Sequence, residues 1–179
     1  SSLCGKAGVS TGMVHLRLGD EKQAERYIRE AIHIYEVTCG ESSPLTGGAY
    51  FKLGQILWDG SPKVSRPDRP RRKEARKALK RAYEIEAMKD AFTIVGVLEI
   101  HNMVMDTFLK DTVGGIDRSG FAEFLPVVST AERRVQTECT QDGNAAVYYK
   151  AAAELRAWGG SYTEAIPTFE KAIELFRAE

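Results

Sequence analysis

The chain has 179 residues, 43% of them hydrophobic, and no apolar stretch approaches the roughly 20 residues that cross a bilayer, so the composition is that of an ordinary folded, soluble chain. Its 25 basic and 25 acidic residues cancel, which excludes a polyanion binder or an acid-rich solvating chain in the molecule as a whole and makes any electrostatic function local. Cys4, Cys39 and Cys139 are odd in number, far apart and outside any CxxC pair, which argues against a disulfide framework or a zinc site.

In chain order, the first expected helix covers residues 3–17. The turn Leu18-Gly19-Asp20 follows, with Asp20 and Gln23 close to a capping box, worth about 1 kcal/mol. A second helix then carries Ala24, Ile28, Ala31, Ile32 and Tyr35. The small residues at 24 and 31 bracket a bulky one at offsets of four and three, so all three stack on one face and admit a neighbouring helix closely. Gly40 suits a left-handed helix end and Ser43-Pro44 a helix start, giving a third helix over 44–58 with Tyr50, Leu53 and Gly54. The small–bulky–small pattern returns at Ala75, Leu79, Ala82 and Ile85, after an insertion over 60–73 that is about nine residues longer than the pattern requires. A helix over about 91–109 and a second insertion over 111–120 precede a looser copy at Phe124, Val128, Ala131 and Val135. The last pair is a helix over 145–158, with Tyr149, Ala152 and Ala153, then a capping box at Ser161 and Glu164 opening a helix with Ala165, Phe169, Ala172, Ile173 and Phe176. Pro126 and Pro167 each remove a backbone donor in the second turn of the expected helix. The outcome is eight helices in four hairpins, an all-α array.

This hairpin grammar resembles the tetratricopeptide repeat. Residues 31–57, from Ile34-Tyr35-Glu36 through Gly40 and Pro44 to Leu53-Gly54, with Gly12 and Gly54 standing 42 residues apart, are similar to the longer variety of kinesin light chains and to the C-terminal helical region of SET-and-MYND lysine methyltransferases. The resemblance implies a right-handed superhelix with repeats at about 1–40, 41–88, 89–140 and 141–179. It implies an interaction scaffold or adaptor without catalysis or cofactor, acting as a subunit of a larger intracellular assembly. A cytoplasmic setting follows, with ciliary or cytoskeletal sites in view. Two other readings stay open: the regulatory helical region of an enzyme such as a SET-and-MYND methyltransferase, and a transport or ciliary cargo adaptor. The absence of an initiator Met and the end inside the amphipathic run 169–176 read as an excerpt of a longer chain.

Three surfaces are candidates for binding: a groove, a basic insertion, and the end faces of the array, whose packing against a neighbouring chain would account for the absent caps. The resemblance implies a concave groove lined by first helices, at Val9, Met13 and Arg17, then Phe51, Gln55 and Trp58, then Lys150, Glu154 and Trp158, able to hold an amphipathic helix or an extended peptide. Trp and Arg are frequent anchors of such contacts. The first insertion is the sharper feature. From Lys63 to Arg81 there are ten basic residues, including Lys63, Arg66, Arg69, Arg71, Arg72, Lys73, Arg76 and Lys77, against Asp68 and Glu74, a local net of +8 that the rest of the chain balances with −8. Such a segment suits an acidic peptide or protein surface. Nucleic acid is disfavoured because no aromatic residue interleaves with the cations of the loop. The first helix offers Val9 and Met13 where a carboxylate-gripping tetratricopeptide module needs Lys and Asn, which disfavours a chaperone C-terminus as ligand. His15, His33 and His101 lie on different helices without a metal-binding spacing, no cysteine has a local acid–base neighbour so each reads as a buried thiol, and Gly114–Gly120 lacks the acids of a calcium loop, so no metal or catalytic group is expected.

Overall fold

The computed structural model describes residues 1–59, 69–109, 118–139 and 143–178, and these are all-α, with no strand among them. The described helices are α1 (Ser2–Arg17), α2 (Glu21–Cys39), α3 (Pro44–Asp59), α4 (Arg69–Met88), α5 (Ile94–Leu109), α6 (Arg118–Ala122), α7 (Leu125–Glu138), α8 (Ala145–Trp158) and α9 (Tyr162–Ala178). They divide into two compact units, Ser1–Lys89 and Asp90–Glu179.

In the first unit α1 pairs with α2 and α3 with α4, and α2 also packs on α3. The small–bulky–small pattern is the reason the pairs are close. A Cβ added at Gly12 would lie 3.0 Å from Ile28 and 3.1 Å from the Ala24 carbonyl, and one at Gly54 would lie 2.6 Å from Leu79 and 3.5 Å from the Ala75 carbonyl. The same glycine–bulky–alanine contact therefore recurs in both hairpins. Gly5 and Gly47, also 42 residues apart, repeat the device one level along, where a Cβ would strike Tyr35 at 2.4 Å and Ile85 at 2.8 Å.

The turns behave as their residues dictate. Asp20 caps α2 by accepting from the Gln23 N–H at 3.1 Å, and Gly19, Gly40 and Gly160 hold positive φ at the ends of α1, α2 and α8. Pro44 begins α3. At Ser161 the carbonyl accepts from the N–H groups of Glu164 and Ala165, while the expected side-chain capping bond is not among those formed by the described residues. Pro126 corrects the expectation of an interrupted second turn: α7 begins at Leu125, so the proline occupies the first turn, where its missing N–H has no helical acceptor to lose. Pro167 does lie inside α9.

The second unit is less regular. Helices α8 and α9 form a close hairpin, whereas α5, α6 and α7 each pack against α8. The short α6 is an element beyond the eight expected helices. It exists because Phe121 stacks on Phe108 with ring centroids 3.9 Å apart, while Phe124 meets the same ring edge-on at 6.0 Å. Three phenylalanines thus close the connection from α5 to α7. The Tyr148 hydroxyl, fully buried, donates to the Val128 carbonyl at 2.9 Å and ties α8 to α7.

Candidate interaction surfaces

The expected groove residues fall on α1 and α3 of the first unit and on α8 of the second. On α1, Val9 and Met13 are half-buried one turn apart, with Arg17 exposed beyond them. On α3, Phe51 and Trp58 are buried. The cause is that α3 has neighbours on two sides, α2 and α4, so its aromatic side chains are drawn into the unit's interior. What α3 offers outward near them is polar: the Lys52 ammonium donates to Gln55 at 3.0 Å and lies 5.3 Å from the Phe51 ring centroid. On α8, Lys150 and Glu154 pair with each other at 2.6 Å, and Trp158 at the helix end is exposed. Trp158 is therefore the accessible aromatic of the expected set.

Of the basic insertion, Lys63 and Arg66 and the side chain of Arg69 lie outside the described residues, as do positions 111–117 of the second insertion. The later cations are not loop residues, because α4 already begins at Arg69. With no carboxylate in its first turn, α4 brings Arg71, Arg72 and Lys73 to the positive end of its own dipole, an unfavourable placement. Helix α2 relieves it. Arg71 reaches Glu21 at 3.1 Å and Glu25 at 3.4 Å, and Arg29 bridges Glu25 at 2.9 Å and Glu74 at 2.6 Å. Arg71 also approaches the Ile56 carbonyl at 3.5 Å. Arg72 and Arg76 have partners too. Lys73 and Lys77, one turn apart on α4, are exposed and carry no ion pair among the described residues. The charge that the sequence concentrates is thus divided: part of it fastens α4 to α2, and part faces solvent.

In the second unit the fold gathers a group that the sequence did not announce. Arg156 is buried near the end of α8. Its Nη1 donates to Glu132 Oε1 and to Thr168 Oγ1, both at 3.2 Å, its Nη2 donates to Glu132 Oε2 at 2.5 Å and to Ser129 Oγ at 3.4 Å, and its Nε lies 3.7 Å from Glu164. This fork-to-fork pairing leaves the guanidinium satisfied, as a buried cation requires. Beside it lies an open cleft of about 230 Å³ lined by Glu132, Gln136, Tyr149, Pro167, Thr168 and Lys171. Burial, and then the negative charge of Glu132, raise the Tyr149 pKa, while Lys171 acts the other way. An arginine in the last turn of a helix reads as a surface residue; its hydrogen-bond partners are 12 to 27 residues away, so no local signal marks it.

The remaining candidates are separate. His15 stacks on Tyr27 at 5.3 Å and lies 3.8 Å from Asp20, His33 is exposed, and His101 is buried on α5, where burial lowers its pKa to about 4 despite a hydrogen bond to the Ala151 backbone. The cysteines correct an expectation of burial: Cys4 and Cys39 are exposed and Cys139 is half-buried, because each lies at a helix end away from the packed faces. Among the described residues no cluster of histidine, cysteine or carboxylate is arranged to hold a metal, and no helix is long and apolar enough to cross a membrane.

No protein-family model matches the chain, and no curated protein matches it. Solved structures do. One is the crystal structure of a Podosopora anserina putative kinesin light chain described by its nearly identical TPR-like repeats, which is similar over 95% of this chain and 93% of that one, at 11% sequence identity and a TM-score of 0.39. The all-α hairpin assignment stands on the helices of this chain themselves.

Proposed function

We propose that the chain is a non-catalytic interaction scaffold of the tetratricopeptide kind, and that its distinctive contact is made by the exposed cations of α4 with an acidic segment of a partner protein. The observation that carries the reading is the division of charge on α4. Arg71 is held by Glu21 and Glu25, and the neighbouring Glu74 by Arg29, which fixes the helix, while Lys73 and Lys77 are exposed and carry no ion pair among the described residues. A helix held in place presents its free cations at lower ordering cost than a mobile loop does. The groove expected from first helices would be a second contact in this reading, on the first unit, with Val9, Met13, Arg17 and Gln55 as its polar and half-buried residues.

The test is site-specific photo-crosslinking of the intact chain in cell extract, with the crosslinker at Lys77 and, separately, at Met13. Acidic partners captured from position 77, and lost in the charge-reversed Lys73→Glu/Lys77→Glu chain, are the expected result. Capture that is unchanged by the charge reversal and by added salt would overturn the α4 reading. Absence of any crosslink from either position would count against both surfaces.

A further inference from the structure

The cleft beside Arg156 has a counterpart in the first unit, built from equivalent positions in a different way. Aligning the helices on their small residues, Ala31 with Ala131, Gly54 with Ala153 and Ala82 with Ala172, matches Glu36 with Gln136, Tyr50 with Tyr149 and Arg81 with Lys171. In the first unit these positions close on one another. The Tyr50 hydroxyl donates to Glu36 Oε1 at 2.7 Å; burial and that bond raise its pKa to about 12, while Arg81 acts the other way. The second unit keeps the tyrosine and the cation. Lys171 acts on Tyr149 as Arg81 acts on Tyr50, and it holds Glu174 at 2.8 Å as Arg81 holds Glu84 at 3.4 Å. The carboxylate is not kept. Gln136 stands in its place, and the Tyr149 hydroxyl, on a side chain only 6% exposed, forms no hydrogen bond among the described residues.

The floor of the cleft differs as well. Ile32, Leu57 and Ala78, all buried in the first unit, match Glu132, Arg156 and Thr168 in the second. Well-packed apolar residues stabilise such a wedge at least as well as a buried ion pair does, so stability does not account for the polar version. Glu132 takes both of its bonds from Arg156, and the pair brings no net charge to the floor. Facing the opening are the Tyr149 hydroxyl, the Gln136 amide and the Lys171 ammonium, which has protons beyond the one that Glu174 accepts. The cleft owes nothing to the ends of the chain. On α2 the residues that reach the following hairpin are Glu25 and Arg29, which match Ile166 and Glu170 when Ala24 is laid on Ala165. Thr168 and Lys171 stand on the other side of α9, where α7 and α8 bound the cleft.

We propose that the cleft between α7, α8 and α9 binds a carboxylate supplied from outside the chain, at the place that Glu36 fills in the first unit. One carboxylate oxygen accepts from the Tyr149 hydroxyl and the other from the Gln136 amide, with Lys171 beside them supplying the positive charge. Its volume of about 230 Å³ is below the roughly 300–1,000 Å³ of pockets that enclose drug-sized ligands, so the occupant is a single acidic side chain or a free acid of similar size. This site is separate from the groove residues of α8, because Tyr149 is buried while Lys150 is exposed on another face of the helix. It is also independent of what Lys73 and Lys77 meet.

Titration of the intact, isotope-labelled chain followed by amide NMR tests the proposal, with sodium chloride at equal ionic strength as the control. The probes are sodium acetate and a Gly-Glu-Gly tripeptide blocked at both ends. Saturable shifts centred on the Gln136 side-chain amide and on Tyr149 and Lys171 are expected. Tyr149→Phe removes a hydroxyl that bonds nothing among the described residues, so its circular dichroism is expected to match the parent. It is expected to weaken binding about tenfold, the loss of one hydrogen bond to a charged group. Gln136→Glu supplies the carboxylate from within, as Glu36 does, and is expected to abolish binding. Tighter binding of the peptide than of acetate identifies the source as an acidic side chain of a partner protein; binding of acetate alone identifies a free small acid. Absence of a saturable shift from both probes overturns the proposal, and so do shifts that persist unchanged in Tyr149→Phe and Gln136→Glu.

Discussion

Replacing Gly54 with alanine is expected to destabilise the first unit, although alanine is the better helix former. Gly54 lies within α3 and does not have positive φ, so the backbone accepts alanine without strain, and helix propensity alone favours the change by about 1 kcal/mol. The added Cβ, however, would sit 2.6 Å from both Cγ and Cδ2 of Leu79. Leu79 is fully buried. Restoring ordinary contact needs a shift of roughly 1 Å in a close-packed interior, and overpacking of that kind costs about 1–3 kcal/mol. Gly48 on the same helix supplies the internal comparison: nothing lies within 4 Å of a Cβ built there, so Gly48→Ala is expected to stabilise by up to about 1 kcal/mol. The two substitutions should therefore differ by about 2 kcal/mol. Urea unfolding in a Trp158→Phe background, where the buried Trp58 reports on the first unit, measures this. With a slope of about 1–2 kcal/mol/M, the two midpoints separate by about 1 M or more. Leu79→Ala opens a cavity costing about 2–5 kcal/mol, and in the double variant the new Cβ fills part of it, so the combined loss is smaller than the sum. A Gly54→Ala chain as stable as Gly48→Ala, or strictly additive losses with Leu79→Ala, would refute the close-approach argument.

His101 is neutral in the fold, with a pKa near 4 against about 6.5 when unfolded, so its contribution is present above pH 6.5 and is lost as pH falls toward 4. The full loss is about 3 kcal/mol, read from Trp158 fluorescence of the second unit, and His101→Gln is expected to flatten that acid limb. Tyr50 donates to Glu36 at 2.7 Å and its pKa is raised by burial to about 12, so stability is intact below pH 10 and falls between 10 and 12; Tyr50→Phe should remove that alkaline dependence in a pH-series melt. Arg156→Ala leaves Glu132 without its cation and is expected to cost about 3–5 kcal/mol in urea unfolding, whereas Arg156→Met with Glu132→Gln loses much less, because the uncompensated charge, more than the missing bridge, sets the penalty.

Much of the first unit could be read locally because its determinants are local. The period of Ala24, Ile28 and Ala31, the Asp20 cap, the positive φ at Gly40 and the start at Pro44 act within one or two turns of the chain, and each appears in the structure where the residues require it. The hairpin device was visible in one glycine pair, Gly12 and Gly54, and its second pair, Gly5 and Gly47, obeys the same offset.

The binding surfaces are another matter, since exposure depends on neighbours and not on residue type. Trp58 and Trp158 end equivalent first helices, yet one is buried where α3 lies between α2 and α4 and the other is exposed. The cations of the first insertion looked alike in sequence; α2 supplied the carboxylates that engage Arg71 and left Lys73 and Lys77 facing water. Arg156 reads as a solvent-facing helix end until Glu132 and Thr168 are brought to it from α7 and α9. Periodicity, caps and turns thus belong to the sequence alone, because they are settled by interactions a few residues long. Which apolar faces close and which charges pair were decided by packing between segments tens of residues apart.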